Sequence, residues 1–319
     1  MAAWAKVLLA GLMALFAGAA HAQVTTLVVP FAAGGPTDLI GRLLARELGT
    51  VLGQTIVVEN VGGAGGTIGT ARVASARPDG NTILLGNIGH AIAPYLYAHL
   101  PYRSVEDFQP VGLVVDVPMT LVGRTGIPAS NIGELRAWAA ANRDRITIAH
   151  AGVGASSQLC ALLVMRELGE TFAQVSYTGT ARALSDLVGG HIDLLCDQIT
   201  NTAPQIADGK VRGFAITSAG RLPALPDMPT MREAGIAGAA VVVWHGLYLP
   251  AATPPAVVAR YSEALQTVLR SEGVMARLTE IGAAPVSPAD ATPDALRSHL
   301  AAELARWKPV IEEAGVKPQ

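Results

Sequence analysis

The sequence is poor in aromatic and charged residues, which make up 5% and 15% of its 319 positions. Its formal net charge at neutral pH is −2, and its lysines and arginines form no run or patch. Proteins that bind nucleic acids or anionic membranes usually carry clustered basic residues. The composition therefore argues against both kinds of partner, and its many small apolar residues are typical of a well-packed α/β protein.

Beyond its N-terminus, the sequence has no apolar run near the roughly 18 residues that a membrane-spanning helix needs. The N-terminal run Val7–Ala20 follows Lys6 and ends in Ala20-His21-Ala22, which is an A-x-A cleavage pattern. These features predict a signal peptide over residues 1–22, cleaved after Ala22, and therefore an exported product. An uncleaved membrane anchor is the alternative.

Only two cysteines are present, Cys160 and Cys196. In an exported chain such a pair suggests one disulfide, and two buried free thiols are the alternative. No cysteine or histidine spacing indicates a metal site, and the sequence has neither a G-x-S-x-G elbow nor an H-E-x-x-H pair. We therefore expect no metal, no cofactor and no enzymatic activity.

Short apolar segments alternate with amphipathic ones along the chain, which predicts parallel βαβ units. Two β-rich segments, Val111–Val122 and Val241–Leu249, separate the alternating sets. We predict an α/β protein with two lobes, each a mostly parallel sheet flanked by helices, joined by a double β hinge. Lobe 1 comprises residues 23–121 and 243–319, and lobe 2 comprises residues 122–242.

The most informative stretch is Pro30-Phe31-Ala32-Ala33-Gly34-Gly35-Pro36-Thr37-Asp38, which follows the apolar run Leu27–Val29. Glycines let the backbone approach a ligand closely, and Pro36 suits the first position of a helix. The free N–H groups of a first helical turn favour an anion. The candidate ligand-binding residues here are Phe31, Ala33, Gly34, Gly35, Thr37 and Asp38. Since a carboxylate would repel an anion, we expect Asp38 to bond backbone, water or a ligand ammonium group.

The segment Ala151–Ser157 repeats this pattern after the predicted strand Ile146–His150. Its candidates are Gly154, Ala155, Ser156 and Ser157. Ligands of open parallel sheets lie beyond the carboxyl ends of the strands, which adds Gly86, Asn87, Tyr177, Thr178, Asp197 and Gln198. Both turns could instead be plain βα connections, and Asp197 either binds a ligand ammonium group or caps the next helix.

A further glycine-rich stretch, Val61–Gly69, is one residue away from the dinucleotide fingerprint. No acidic residue closes a second strand about 20 residues later, as dinucleotide binding requires. We therefore interpret this stretch as a flexible loop at the rim of a cleft.

Several motifs together resemble the periplasmic solute-binding receptors of tripartite tricarboxylate transporters, the Bug family. They are Pro30-Phe31-x-x-Gly34-Gly35-x-x-Asp38, Val58-Glu59-Asn60 with Gly63-Ala64-Gly65-Gly66, Pro78-Asp79-Gly80, Leu100-Pro101-Tyr102 with Asp107-Phe108, Asp186-Leu187-x-x-Gly190, Leu225-Pro226-Asp227-x-Pro229-Thr230 and Glu233-Ala234-Gly235. Cys160 with Cys196-Asp197-Gln198-x-Thr200-Asn201-Thr202 is similar to a branch of the family in which the cysteines pair. The resemblance covers nearly the whole mature chain.

The resemblance implies a type II-like periplasmic binding protein fold that closes on a small carboxylate, either a mono- or dicarboxylate or an amino acid. It further implies a periplasmic protein that delivers its ligand to membrane permease subunits or, alternatively, serves as the ligand-sensing partner of a receptor kinase. We expect a monomer. The family usually has Tyr-Lys-Gly-x-x-Pro-Ala where this chain has Tyr177 to Ala183. Arg182 either restores the lost positive charge nearby or faces solvent.

Overall fold

The computed structural model of the protein describes residues 24–313 and Pro318. The predicted signal peptide, residues 1–22, lies outside the described residues. Within them, no helix has both the length and the apolar character needed to span a membrane.

The described residues contain ten strands in one mixed sheet, with the order β2-β1-β3-β9-β4-β7-β5-β6 and with β8 and β10 also paired to β4. The strands are β1 (Val24–Val29), β2 (Thr55–Asn60), β3 (Thr82–Asn87), β4 (Phe108–Arg124), β5 (Thr147–His150), β6 (Ala173–Ser176), β7 (Leu194–Gln198), β8 (Val211–Ile216), β9 (Val242–Pro250) and β10 (Ala284–Pro285). The α/β class that the sequence predicts is confirmed.

Helices cover the sheet and fill most of the connections. They are α1 (Pro36–Leu52), α2 (Thr67–Ala74), α3 (Gly89–Leu96), α4 (Ile132–Asn142), α5 (Ser156–Leu168), α6 (Thr180–Val188), α7 (Ile199–Ala207), α8 (Pro255–Arg270), α9 (Glu272–Glu280) and α10 (Pro293–Glu313). Short 3-10 turns lie at Ala64–Gly66 and Ala237–Ala239.

The first helix shows how the sequence sets these limits. Pro36 occupies its first turn, where a missing N–H costs nothing, and Gly53 ends it with a positive φ of 65°. Ile40, Leu44 and Leu48 recur every four residues and are fully buried, so one face of α1 packs on the sheet.

Among the ten strands of the described residues, three on each side of the molecule pair in parallel. β2-β1-β3 are parallel in lobe 1, and β6-β5-β7 are parallel in lobe 2. The strands between these sets pair antiparallel, namely β3 with β9, β9 with β4 and β4 with β7. Each lobe therefore combines a parallel set with antiparallel joining strands.

The joining strand β4 is 17 residues long and changes partner along its length. Its first part pairs with β9 as far as Pro118 opposite Val242. From Met119, opposite Gln198, it pairs with β7 instead. This exchange of partners lies close to the boundary predicted after residue 121, and the division into lobes at that boundary stays a prediction.

Some local features differ from the sequence-based expectations. Helix α3 was not predicted, because Ala91 and Ile92 are buried and Pro94 interrupts the pattern, so no amphipathic period is visible. Trp244 donates from Nε1 to Glu303 Oε2 (3.0 Å), as does Trp307 (2.8 Å). It therefore fixes α10 to the sheet.

The two cysteines form a disulfide, and the alternative of two free thiols is wrong for this structure. Cys160 of α5 and Cys196 of β7 are fully buried, and their Cα atoms are 6.0 Å apart. The bond therefore ties the start of α5 to the end of β7.

Candidate functional site

Four helices begin at one enclosed cavity. The residues at their N-caps are Gly35 (α1), Ala155 (α5), Gly179 (α6) and Gln198 (α7), and all four line the cavity. None of these helices has a side chain bonded to its N-terminal amides as a cap. First-turn N–H groups lack partners within a helix, so the positive ends of four helix dipoles meet in one space.

We call this space the cleft cavity, and the volume in it that is open to a water-sized sphere is about 20 Å³. The predicted residues that line it are Phe31, Gly35, Thr37, Asn87, Ala155, Ser156, Ser157, Asp197 and Gln198. The lining residues that the sequence-based list missed are Ala32, Pro36, Ala151, Gly179 and Thr180. All five lie within or next to the turns that contain the predicted residues. The position of the Thr180 hydroxyl at the start of a helix could have identified Thr180 as a candidate ligand-binding residue.

The remaining candidates lie outside the cavity wall. Ala33, Gly34 and Thr178 are exposed. The Tyr177 hydroxyl donates to Asp186 Oδ2 (2.6 Å), and the Gly154 N–H donates to Gln158 Oε1 (2.9 Å). Their polar groups are engaged elsewhere, so this geometry does not support direct ligand contact by these residues.

Asp38, also a candidate, braces the first turn. Its Oδ2 accepts from the Gly34 N–H (2.9 Å) and from Arg42 Nε (3.0 Å), and its Oδ1 accepts from Asn60 Nδ2 (3.0 Å). Burial opposes ionisation, but these hydrogen bonds outweigh it and lower the pKa of Asp38. The carboxylate thus holds the backbone of the turn, as the sequence suggested, and is absent from the cavity lining.

The second turn is held by side chains from its own helix. Ser157 Oγ accepts from the Ala151 N–H (2.9 Å), just as Gln158 Oε1 accepts from the Gly154 N–H. Because both acceptors belong to the first turn of α5, the turn and the helix form one rigid unit. The Arg182 side chain on α6 is exposed and contributes no charge to the cavity wall.

Asp197 is the one ionisable side chain in the cavity lining. Burial raises its pKa to about 6, against the opposing effect of hydrogen bonds from Asn201, Thr180 and the Gln198 backbone. Its Oδ1 accepts from the Gln198 N–H (2.8 Å) and its Oδ2 from Asn201 Nδ2 (2.6 Å). These two bonds tie Asp197 to Gln198 and Asn201 and leave its carboxyl in the cavity wall.

Two amide side chains of the lining have atoms without a partner. Asn87 and Gln198 are 2% and 4% exposed, and Asn87 Nδ2 and Gln198 Oε1 bond no other described residue. Thr37, by contrast, bonds the buried His245 ring at 3.3 Å. A buried donor or acceptor without a hydrogen bond costs free energy. Both atoms are therefore suited to form a hydrogen bond with a ligand.

The two sides of the cleft touch in this structure. The Tyr97 hydroxyl donates to the Val153 carbonyl oxygen (2.7 Å). A Cβ added at Gly179 would lie 2.9 Å from Ala32 Cβ, and one at Gly65 would lie 1.8 Å from Val153 O. The rim loop predicted at Val61–Gly69 thus packs directly against lobe 2, with Gly65 and Gly66 buried.

The cavity can hold an anion through backbone amides and hydroxyl groups. Its lining contains no lysine or arginine, and the described part of the chain has no group of three or more histidine, cysteine, aspartate or glutamate side chains placed to hold a metal ion.

A family model described as the tripartite tricarboxylate transporter family receptor matches residues 40–316 of this chain. Among curated proteins, the chain is 44% identical over 290 residues to a UPF0065 protein of Agrobacterium vitis from the TAR-I ttuE-ttuC' intergenic region. That match covers 91% of this chain and 84% of the relative. The resemblance inferred from the motifs is thereby confirmed.

Two solved structures are similar over almost their whole length. The periplasmic binding protein BugD superposes with a TM-score of 0.90 at 45% identity, covering 93% of this chain and 99% of BugD. MatC of Rhodopseudomonas palustris, solved with bound malate, superposes with a TM-score of 0.87 at 40% identity, covering 90% and 98%. The chain thus shares the fold of periplasmic binding proteins.

Proposed function

The chain belongs to the tripartite tricarboxylate transporter receptor family, and from this premise we propose that it is a solute-binding receptor whose cleft cavity captures a small carboxylate. The ligand class is a mono- or dicarboxylate or an amino acid. The lobes close on it, and the closed receptor delivers it to the permease subunits of a tripartite transporter.

The observation that carries this proposal is the meeting of four uncapped helix N-termini at the cleft cavity. Each N-terminus carries roughly half a positive charge. A hydrogen bond to a charged group contributes about 1.5–3 kcal/mol, so a few amides and hydroxyls can hold a carboxylate without arginine. Malate bound to MatC, a relative with the same fold, supports the same ligand class.

Location and partners complete the proposal. We infer export to the periplasm with cleavage after Ala22, action as a monomer, and no catalytic turnover. Mass spectrometry of the exported protein should give a chain that begins at Gln23, and a product retaining residues 1–22 would support the anchored alternative. Uptake of a bound carboxylate by cells carrying the permease genes should require this receptor.

Calorimetry tests the ligand class directly. Purified protein is titrated with malate, succinate, adipate and aspartate, and each acid is matched with its diamide, which has no carboxylate, as a control. Binding of at least one acid with no binding of its diamide is the expected result. Tight binding of a neutral solute together with failure of every carboxylate would refute the proposal.

A further inference from the structure

A surface groove lies along helix α1 in lobe 1, and we call it the outer groove. Its larger part has about 700 Å³ open to a water-sized sphere, and its lining includes Arg46, Thr50, Gln54 and Arg260. Its smaller part has about 180 Å³ and is lined by Leu39, Arg42, Leu43, Arg46, Arg277 and Ile281. Arg46 lines both parts, so together they form one groove.

Four arginines give this groove its charge. Arg42 and Arg46 come from α1, Arg260 from α8 and Arg277 from α9. Among the described residues, no aspartate or glutamate belongs to the lining of either part. Because the arginines come from three helices, they form no basic run in the sequence, and only the fold brings them to one surface.

Arg260 is oriented by uncharged oxygens. Its Nη2 donates to Leu52 O (3.1 Å) and to Gln54 Oε1 (3.3 Å). A guanidinium group has five N–H donors in a planar arrangement that suits a carboxylate. Arg260 therefore keeps donors with which to bind a carboxylate of a partner.

Arg46 and Arg277 are paired but accessible. They form ion pairs with Glu47 and Glu280 of their own helices, and 71% and 61% of their side chains are exposed. Exposed ion pairs contribute little to stability, since water solvates the separated charges almost as well. A partner carboxylate can therefore share or replace either pair.

Arg42 connects the groove to the ligand-binding turn. Its Nε donates to Asp38 Oδ2 (3.0 Å), the oxygen that also accepts from the Gly34 N–H. Its Nη2 donates to Asn60 Oδ1 (3.3 Å). A partner bound in the groove would therefore contact the side chain that helps to hold the first turn of the cleft.

The groove also reaches the boundary between the lobes. Gly282 follows the lining residue Ile281, and a Cβ added at Gly282 would lie 2.8 Å from Ile199 Cγ2 at the start of α7 in lobe 2. Under the proposed function the lobes close on the ligand. A partner at this end of the groove would then meet different surfaces on the open and the closed receptor.

The dimensions of the groove fit a short extended peptide. Leu39 and Gly53, which line its two ends, are separated by about 20 Å of helix at 1.5 Å per residue. About six residues of extended chain cover that length. Leu39 is 42% exposed and lies with Leu43 and Ile281, so one end of the groove is apolar.

We propose that the outer groove is the surface on which the receptor docks to its membrane permease. Its occupant is an extended permease segment of about six residues, with at least two acidic side chains and an apolar side chain placed at Leu39. Complementary charge of this kind speeds encounter and fixes the register of the bound segment. This inference rests on the proposed function, because it takes delivery to a permease as given.

Charge reversal tests the role of the arginines. Arg260→Glu and Arg277→Glu alter the groove and leave the cavity lining unchanged. The matched control is Arg297→Glu, because Arg297, like Arg277, is exposed and pairs with an acid three residues away on its own helix, but lies outside the groove.

The measurement is uptake of whichever acid of the previous test binds, in cells that carry the permease genes and each receptor variant. Arg260→Glu and Arg277→Glu should each lower uptake several-fold, and the double variant tenfold or more, with affinity by calorimetry within twofold of the wild type. Arg277→Lys should keep most of the uptake, and Arg297→Glu all of it. Thermal unfolding reports whether each variant is folded.

Photocrosslinking in the same cells identifies the occupant without requiring a known ligand. Thr50 lines the groove and is exposed. Thr50→p-benzoylphenylalanine should give an adduct with a permease subunit, identified by mass spectrometry, and Arg297→p-benzoylphenylalanine should not. Adding Arg260→Glu to the Thr50 variant should lower the yield of the adduct several-fold.

The outcomes separate this proposal from the proposed function. Uptake unchanged by both charge reversals, an equal loss in Arg297→Glu, or no permease adduct at Thr50 would overturn the docking surface while carboxylate capture stands. An adduct with a second copy of this chain alone would overturn it too, by making the groove a contact between copies. A permease adduct at Thr50 in a receptor that binds no carboxylate would leave the docking surface and refute the ligand class.

Discussion

The Tyr97 hydroxyl donates a hydrogen bond to the Val153 carbonyl oxygen across the cleft, with a distance of 2.7 Å between the two oxygens. Tyr97 follows the last residue of α3 in lobe 1, whereas Val153 belongs to the turn that opens α5 in lobe 2. The bond exists only when the two sides meet. It therefore contributes to the closed arrangement without belonging to the cavity lining.

Removing this bond should weaken ligand retention. In Tyr97→Phe we expect a loss of roughly 0.5–1.5 kcal/mol, or about two- to tenfold in affinity. The loss should appear mainly in the dissociation rate, because the bond forms after the ligand has entered. Stopped-flow measurement with a bound carboxylate gives both rates. The matched control is Tyr95→Phe, because the Tyr95 hydroxyl donates to Leu304 O and lies outside the cavity lining. Equal dissociation rates in wild type and Tyr97→Phe would contradict the role of Tyr97.

A side chain at position 35 should leave the stability of the fold nearly unchanged but prevent ligand binding. Its φ is −87°, and an added Cβ would lie 3.5 Å from Ala32 O, an ordinary contact. Since Gly35 lines the cavity at the α1 N-cap, the branches of valine would occupy the space of the ligand. Gly35→Val should keep a near-normal Tm and lose carboxylate binding by calorimetry. Unchanged affinity would show that this turn does not contact the ligand.

Ligand binding should depend on pH through Asp197, whose pKa is about 6 in the empty cavity. A second negative charge nearby raises that pKa, so the complex binds more protons than the free protein. Affinity for malate should therefore increase as the pH falls from about 7.5 to 5.5. A ligand ammonium group beside Asp197 would lower the pKa, and affinity would then increase with rising pH.

Calorimetry across this range, in wild type and Asp197→Asn, distinguishes the two cases. The affinity of Asp197→Asn for malate should not change with pH once the titration of malate itself is subtracted. That contribution is the same for both proteins, because the ligand is the same. Asp116 lies on β4, outside the cavity lining, so Asp116→Asn should have the same pH dependence of affinity as the wild type. If the affinity of Asp197→Asn still changes with pH, the proton binds to another group.

The disulfide should stabilise the native chain substantially. Cys160 and Cys196 are 36 residues apart, and closing such a loop in the unfolded chain corresponds to about 3–4 kcal/mol in the chain-entropy model. The native protein should have a mass two hydrogens below that of the dithiol form, and reductant should lower its Tm. In Cys160→Ala/Cys196→Ala the Tm should be low from the outset and insensitive to reductant. Two thiols that alkylate in the native protein would refute the bridge.

The regular elements of the fold were largely predictable from the sequence. The amphipathic pattern predicts helices over about 255–270 and 293–313, and α8 (Pro255–Arg270) and α10 (Pro293–Glu313) have these limits. Helix α3 could not be found this way, because a helix buried on several sides shows no polar face. The position of β9 between β3 and β4, antiparallel to both, could not be predicted either. The local sequence pattern of a strand does not indicate which strands lie next to it in the sheet.

The parts of the site that were predictable are those formed by one continuous stretch of sequence. The turns at Gly35 and Ala155 could be recognised because each follows a strand and opens a helix. The role of Asp38 as a brace depends on Asn60, a residue from another strand, which no local pattern connects to it.

The pairing of Pro118 with Val242 has a mechanical consequence. β4 passes from one side of the molecule to the other without a loop, and the return segment into β9 runs antiparallel beside it at that pair. Two hydrogen-bonded strands resist sliding along each other, and we expect them to bend about a line across both. If the lobes close about this line, a distance between dyes on the two lobes should shorten when ligand binds.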